Sequence, residues 1–324
     1  MLHYSLLLML KKSLLAGLFF LAPKLVDSPS NLSSLDGFFL GDVEISKYAE
    51  DRDFSDKYDL AKTFWLDSYG EGYADELKSL RLALEKKGHA QNDIYRLFRN
   101  VKIDDDVTRF FQDNILKSTD EEEISFEEYS KRVGLDWFVE NAQGFAQEHS
   151  DLLIKTQREQ GVDLRVIVGI LGIETKFGDS KNLGSHNLIN SLVTQYVTLD
   201  RQEFALRELN YVLKLSEMFN RDLSFVKSSY AGAFGIGQWL PSSVVYYSKI
   251  NSFDDLFSIE GMIPSVSNYL KSHNWDSSAN FQDLNSSERN WSAVRAYNPS
   301  NTYVRSVNKI ANGVFLPLNE KVKK

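Results

Sequence analysis

The run "VIVGILGI", Val166 to Ile173, is the stretch that most constrains this chain. Asp163 fits an N-cap before it, and the segment from Leu164 to about Phe177 is apolar on nearly every side at helical period. Such a helix cannot lie on a surface, so the rest of the fold has to be built around it. The next ionisable side chain is Glu174, within "LGIETKFGDSK" (171–181). A carboxylate at the end of an apolar helix is either paired with a distant group or used chemically. If desolvated, it holds its proton toward neutral pH, as a general acid requires.

The flanking sequence supplies more helices. Residues 72–88, "GYADELKSLRLALEKKG", put Leu77, Leu80 and Leu84 on one face and stop at Lys-Lys-Gly. A short helix follows over 91–99. Ser125 and Glu128 have capping-box spacing, and an amphipathic helix is expected from Trp137 to Gln160, with Phe138, Ala142, Phe145, His149 and Leu152 on one stripe. His149 reads as a packed helix residue rather than a ligand. Beyond the apolar helix, one opened by Asp200 buries Leu206, Leu209 and Leu213; others are expected near 241–249, 259–272 and 302–312. No succession of alternating strands appears. The expected class is mainly α, with at most a small β hairpin inside 184–200 or 229–240.

Two further stretches break helical period and can carry chemistry. "SSYAGAFGIGQWLPSS" (228–243) places Gly232, Gly235 and Gly237 before Gln238. It lacks the Lys-Ser/Thr of a phosphate-binding loop and follows no strand-like run, so it does not read as a nucleotide site. Close glycines instead let backbone approach a ligand, beside an amide that both donates and accepts. "AVRAYNPSNTYVRSV" (293–307) sets Tyr297 and Asn298 at a helix-to-turn junction before Pro299. An aromatic face next to a two-way hydrogen bonder suits a sugar ring. Each stretch could also be plain packing.

"GIETKFG" (172–178), "AGAFGIGQWLPSS" (231–243) and "VRAYNPSNTYVRSV" (294–307), in this order and spacing, resemble the MltB-type lytic transglycosylases, a glycoside hydrolase family with a lysozyme-like catalytic domain. The lead-in over 126–170 looks like that family's too, and the resemblance runs from about Thr63 to Gly313. It implies a lysozyme-like domain cleaving the β-1,4 bond between N-acetylmuramic acid and N-acetylglucosamine in peptidoglycan. Glu174 would be the single acid/base, assisted by the substrate's N-acetyl group, and the product a 1,6-anhydro end; this is among the substrate-assisted exceptions to the two-carboxylate rule. By the same resemblance Ser229, Gln238, Tyr269, Tyr297, Asn298 and Tyr129 would contact substrate. Some members bind calcium in an acidic glycine-containing loop. Here "YYSKINSFDDLF" (246–257) is shorter and lacks the Asp-x-Asp-x-Asp-Gly order, so Asp254 and Asp255 read as helix-entrance residues and neither metal nor cofactor is expected.

Two rivals stay open. A hydrolysing muramidase of the same fold needs a second carboxylate, with Asp179 and Asp200 the candidates soon after Glu174; a catalytically silent wall-binding protein would keep only the groove.

With 45 acidic against 37 basic residues the net charge is -8, which provides no excess positive field for nucleic acid. Cysteine is absent, which removes thiol nucleophiles, disulfides and the anchor of a lipoprotein. "MLKKSLLAGLFFLAPKLVDSPS" (9–30) has the order of a secretory signal and is too short to span a bilayer, which points to the periplasm. The expected organisation is a signal or anchor over 1–30, a linker over 31–60, a helical lead-in domain over 61–150, the catalytic domain over 151–313 and a tail over 314–324.

Overall fold

The computed structural model describes residues 73–117, 124–279 and 283–315; the expected leader, linker and most of the tail lie outside them. Its centre is the apolar segment, helix α7 (Leu164–Thr175), opened by the Asp163 side chain accepting from Arg165 N. Val166, Ile167, Val168, Ile170 and Leu171 are all buried. Against α7 runs the last helix, α13 (Asn301–Ala311). Their close approach depends on Gly169, where a Cβ would meet the Val307 carbonyl oxygen at 2.7 Å.

Before α7 the chain forms α1 (Ala74–Lys86), α2 (Gln91–Phe98), α3 (Asp105–Lys117), α4 (Phe126–Val133), α5 (Leu135–Glu148) and α6 (Ser150–Gln160). After it come β1 (His186–Asn187), α8 (Leu188–Thr198), α9 (Gln202–Met218), β2 (Lys227–Ser228), α10 (Pro241–Tyr247), α11 (Ile259–Ser272) and α12 (Glu288–Tyr297). Leu77, Leu80 and Leu84 are buried as their spacing predicts, and α1 packs on α8 and α9. Helix α5 packs on α7 and α13. One apolar cluster joins Leu77 of α1 to Val314 beyond α13.

Several details differ from the sequence reading. The expected Trp137–Gln160 helix is two helices broken at His149, whose ring packs 4.7 Å from Phe145. A polar N-cap is also missing from α9: it opens at Arg201, one residue after Asp200, with no side-chain cap. Helices α3 and α8 were not anticipated, although α3 does set Val107, Phe110 and Phe111 on one buried face. The small sheet pairs His186 with Ser228 and Asn187 with Lys227, joining two separate segments instead of forming a hairpin within either. A lone bridge, Phe234 to Trp239, does fall inside 229–240. Asp254 and Asp255 stand in the first turn of a 3-10 helix, Phe253–Phe257, as expected of entrance residues.

Candidate active site

Glu174 stands in the last turn of α7, partly buried, and its carboxylate accepts the Tyr303 hydroxyl at 2.7 Å. Burial pushes its pKa up to about 8, opposed only in part by that hydrogen bond. No carboxylate contributes to the shift. Asp179, five residues on, faces solvent with its oxygens on Lys181 N and the Asn182 amide, and Asp200 is exposed. Neither reaches into the surroundings of Glu174.

Thr175 fastens this helix end to the glycine loop. Its hydroxyl donates to the Ile236 carbonyl at 2.9 Å and accepts from Gly178 N at 3.2 Å. The loop folds back on itself through Phe234 N to Trp239 O (3.0 Å) and Trp239 N to Phe234 O (2.9 Å). Gly235 turns it at φ +74°, where a Cβ would meet the Leu256 carbonyl at 2.7 Å, and Ile236 N donates to that same oxygen at 2.9 Å. Gln238 has φ +50°, and its amide nitrogen donates to Gly235 O at 2.9 Å, which leaves its side-chain oxygen without a partner among the described residues. The Ser229 hydroxyl accepts from Ala233 N at 3.1 Å and keeps its own proton to donate.

Helix α12 closes the site with a knot of phenols. Tyr297 donates to Gly237 O at 2.6 Å and accepts from Trp239 Nε1. Tyr269 donates to Ala296 O at 2.8 Å. Both hydroxyls are thus committed to the fold, so these two tyrosines offer rings rather than polar atoms. The Tyr297 and Tyr303 rings lie parallel, with centroids 6.4 Å apart. Burial, with Glu174 close by, holds both phenols well above the usual tyrosine range, where they stay protonated donors. Asn298 is buried, and its side-chain oxygen lacks any hydrogen-bond partner among the described residues. Tyr129 sits on the neighbouring α4; burial pushes its pKa up to about 12, with Ser306 nearby acting in the opposite direction.

The sequence reading missed Tyr303 and Thr175. Tyr303 lay inside the quoted "NTYVRSV", on the inward stripe with Val307 and Ile310, and only the crossing of α13 with α7 reveals that it meets Glu174. Among the described residues no group of three His, Cys, Asp or Glu side chains is set to hold a metal ion.

The transglycosylase SLT domain profile matches residues 72–283 of this chain. The chain belongs to the SLT-domain transglycosylase family. The family match takes in Glu174, Ser229, Gln238, Tyr129 and Tyr269, and stops before α12 and α13. Membrane-bound lytic murein transglycosylase B of Escherichia coli is 33% identical over 141 residues, 42% of this chain; the match spans 38% of that relative's length. In three dimensions, E. coli lytic transglycosylase SLT35, solved with bulgecin A, superposes with a TM-score of 0.64 at 21% identity, over 76% of this chain and 94% of that one. SltB3 of Pseudomonas aeruginosa, solved with NAG-anhNAM-pentapeptide, gives 0.63 at 21% identity over 75% and 79%. Both likenesses establish the lysozyme-like lytic transglycosylase fold.

Proposed function

We propose that this chain is a peptidoglycan lytic transglycosylase that cuts the β-1,4 bond between N-acetylmuramoyl and N-acetylglucosaminyl residues and leaves a 1,6-anhydro end. The observation that carries the reading is Glu174: a carboxyl at the tip of an apolar helix, bonded by one phenol, with its pKa raised to about 8 and, among the described residues, no carboxylate that contributes to the shift.

Protonated near neutrality, Glu174 gives its proton to the glycosidic oxygen as the C1–O bond breaks. The substrate's N-acetyl oxygen stabilises the cation at C1. Glu174, now ionised and held by the Tyr303 hydroxyl, takes the proton of the C6 hydroxyl, whose oxygen closes on C1. One proton leaves and one returns, and no water is consumed. A two-carboxylate hydrolytic route would instead need a second acidic side chain at the site, and the two candidates, Asp179 and Asp200, face solvent.

In this reading Gln238 and Ser229 hydrogen-bond the sugar, the buried Asn298 oxygen gains its missing donor from the substrate, and Tyr269, Tyr297 and Tyr129 form ring walls. Residues 61–150 serve as the lead-in and 151–313 as the catalytic domain, with the chain exported to the periplasm. Support comes also from the SltB3 ligand, which contains an anhydro sugar and a peptide stem. Mass spectrometry of digested cell-wall sacculi tests the reaction: anhydro ends are expected, and reducing ends that have gained a water would overturn it.

A further inference from the structure

The turn that carries Ser229 is packed against a helix of the lead-in, α3. That helix does not bury its apolar face in the main core: Val107, Phe110 and Phe111 form a small separate cluster with Ala231, and Tyr230 and Leu199 pack against it. Tyr230, the residue after Ser229, has its ring stacked on Phe110, with centroids 4.1 Å apart and planes 6° from parallel. The His186 ring lies against Tyr230 as well, also at 4.1 Å.

Two bonded chains tie α3 to the residues on either side of Ser229. In the first, one oxygen of Asp104 caps α3 by accepting from Asp106 N at 3.0 Å, and the other bonds His186 Nδ1 at 2.8 Å. The backbone of His186 pairs with Ser228, the residue before Ser229. Water has little access to this pair, whose side chains keep 10% and 24% of their surface for His186 and Asp104. In the second chain, Arg201 lies over the rings of Phe111 (4.7 Å) and Phe204 (4.4 Å), and its Nε donates to Gln195 Oε1 at 2.9 Å. Gln195 is fully buried, and its Nε2 donates to the Tyr230 carbonyl at 3.1 Å.

Neither chain touches the Ser229 hydroxyl. That hydroxyl accepts from Ala233 N, and Ser229 N donates to Ala233 O at 2.8 Å, so the direction of its free proton follows the backbone of residues 228–230. A helix docked for stability alone would turn its stripe to the main core. This one sets its rings on the turn that presents one serine.

We propose that His186 and Phe110 are positioning residues for Ser229: through them α3 fixes the aim of the serine hydroxyl at the sugar, and so sets affinity for the glycan strand rather than the rate of bond cleavage. The inference rests on the peptidoglycan reading above.

The test is a double-mutant cycle on uncross-linked glycan strands, with activity normalised to the folded fraction. His186→Ala should raise KM about five-fold, the share of one neutral hydrogen bond, with kcat kept within about two-fold. Ser229→Ala should raise KM by a similar factor and the double variant no further, because both changes remove the same contact. A merely structural role would move Tm and leave KM alone. Phe110→Leu, which keeps an apolar side chain without the stacked ring, should repeat the pattern and serves if His186→Ala does not fold. Asp104→Asn, which can still cap α3 and donate to the ring nitrogen, should keep KM within about two-fold. The proposal is overturned if His186→Ala and Phe110→Leu leave KM unchanged, if they still raise KM in the Ser229→Ala background, or if the loss falls on kcat. If the parent releases no product from these strands, the catalytic reading fails instead. The Kd values of the same variants for the strands then decide the positioning claim by the same cycle.

Discussion

Glu208 and Glu174 are both withdrawn from solvent, in opposite company. Glu208, on α9, is fully buried, yet both its oxygens are used: Arg207 Nε donates to it at 2.9 Å, and Ser242 N and Oγ each donate at 3.0 Å, so that it caps α10. Glu174 has one phenol and an apolar helix. Burial with a cation and a helix N-terminus makes a carboxylate a structural part. Burial without them makes it an acid. The difference between the two corners is therefore legible as chemistry, since only Glu174 is left with a single hydrogen-bond donor.

The sharpest way to break this comparison is to neutralise each glutamate in turn. Glu174→Gln should lower lytic activity about 10³-fold, as read by turbidity loss of sacculi. It should also stabilise the fold at alkaline pH. A carboxyl whose folded pKa is raised from its ordinary value to about 8 contributes stability that is whole below the ordinary pKa and is lost as pH rises through 8. Denaturant melts should show a gain of about 1–3 kcal/mol near pH 9, discounted for the partial exposure of the site, and almost none below about pH 5. Glu208→Ala should instead cost about 3 kcal/mol by leaving the α10 end uncapped and Arg207 unpaired, with activity per folded molecule largely kept. Chemical denaturation with activity normalised to the folded fraction checks it.

Smaller effects sharpen the picture. Gly169→Ala forces a Cβ onto the Val307 carbonyl and should cost about 2 kcal/mol by separating α7 from α13; it should impair activity too, because the same crossing brings Tyr303 to Glu174. Tyr303→Phe should lower kcat/KM about ten-fold and shift its alkaline limb upward, because the phenol is what holds the Glu174 pKa down. Ser125→Ala, which removes the acceptor for Glu128 N at the start of α4, should cost about 1 kcal/mol and leave activity untouched, by thermal melt and turbidity assay.

Where the sequence was readable and where it was not follows from range. Helix α7, its Asp163 cap, the α1 stripe and the inward Leu80 and Leu84 are set by neighbours three or four residues away, so periodicity exposes them. The Tyr303 contact spans 129 residues and the Thr175 to Ile236 bond 61, and no local pattern encodes either. Tyr269 and Tyr297 could be picked out by resemblance, but not the fact that their hydroxyls are spent on Ala296 and Gly237. The break at His149 escaped because α5 and α6 share one apolar stripe across it. The glycine loop stood out for the opposite reason, because its close glycines break helical period, whereas the left-handed Lys176 and Phe177 that end α7 at Thr175 did not, since the apolar run reads as helix to about Phe177.

The central claim is that Glu174 holds a proton at neutral pH. Infrared difference titration of the parent against Glu174→Gln isolates that one carboxyl. The account predicts a carboxylic acid band that converts to carboxylate with a midpoint near 8, coincident with the alkaline fall of kcat/KM. A midpoint in the ordinary carboxylate range, between about 4 and 5, would contradict it.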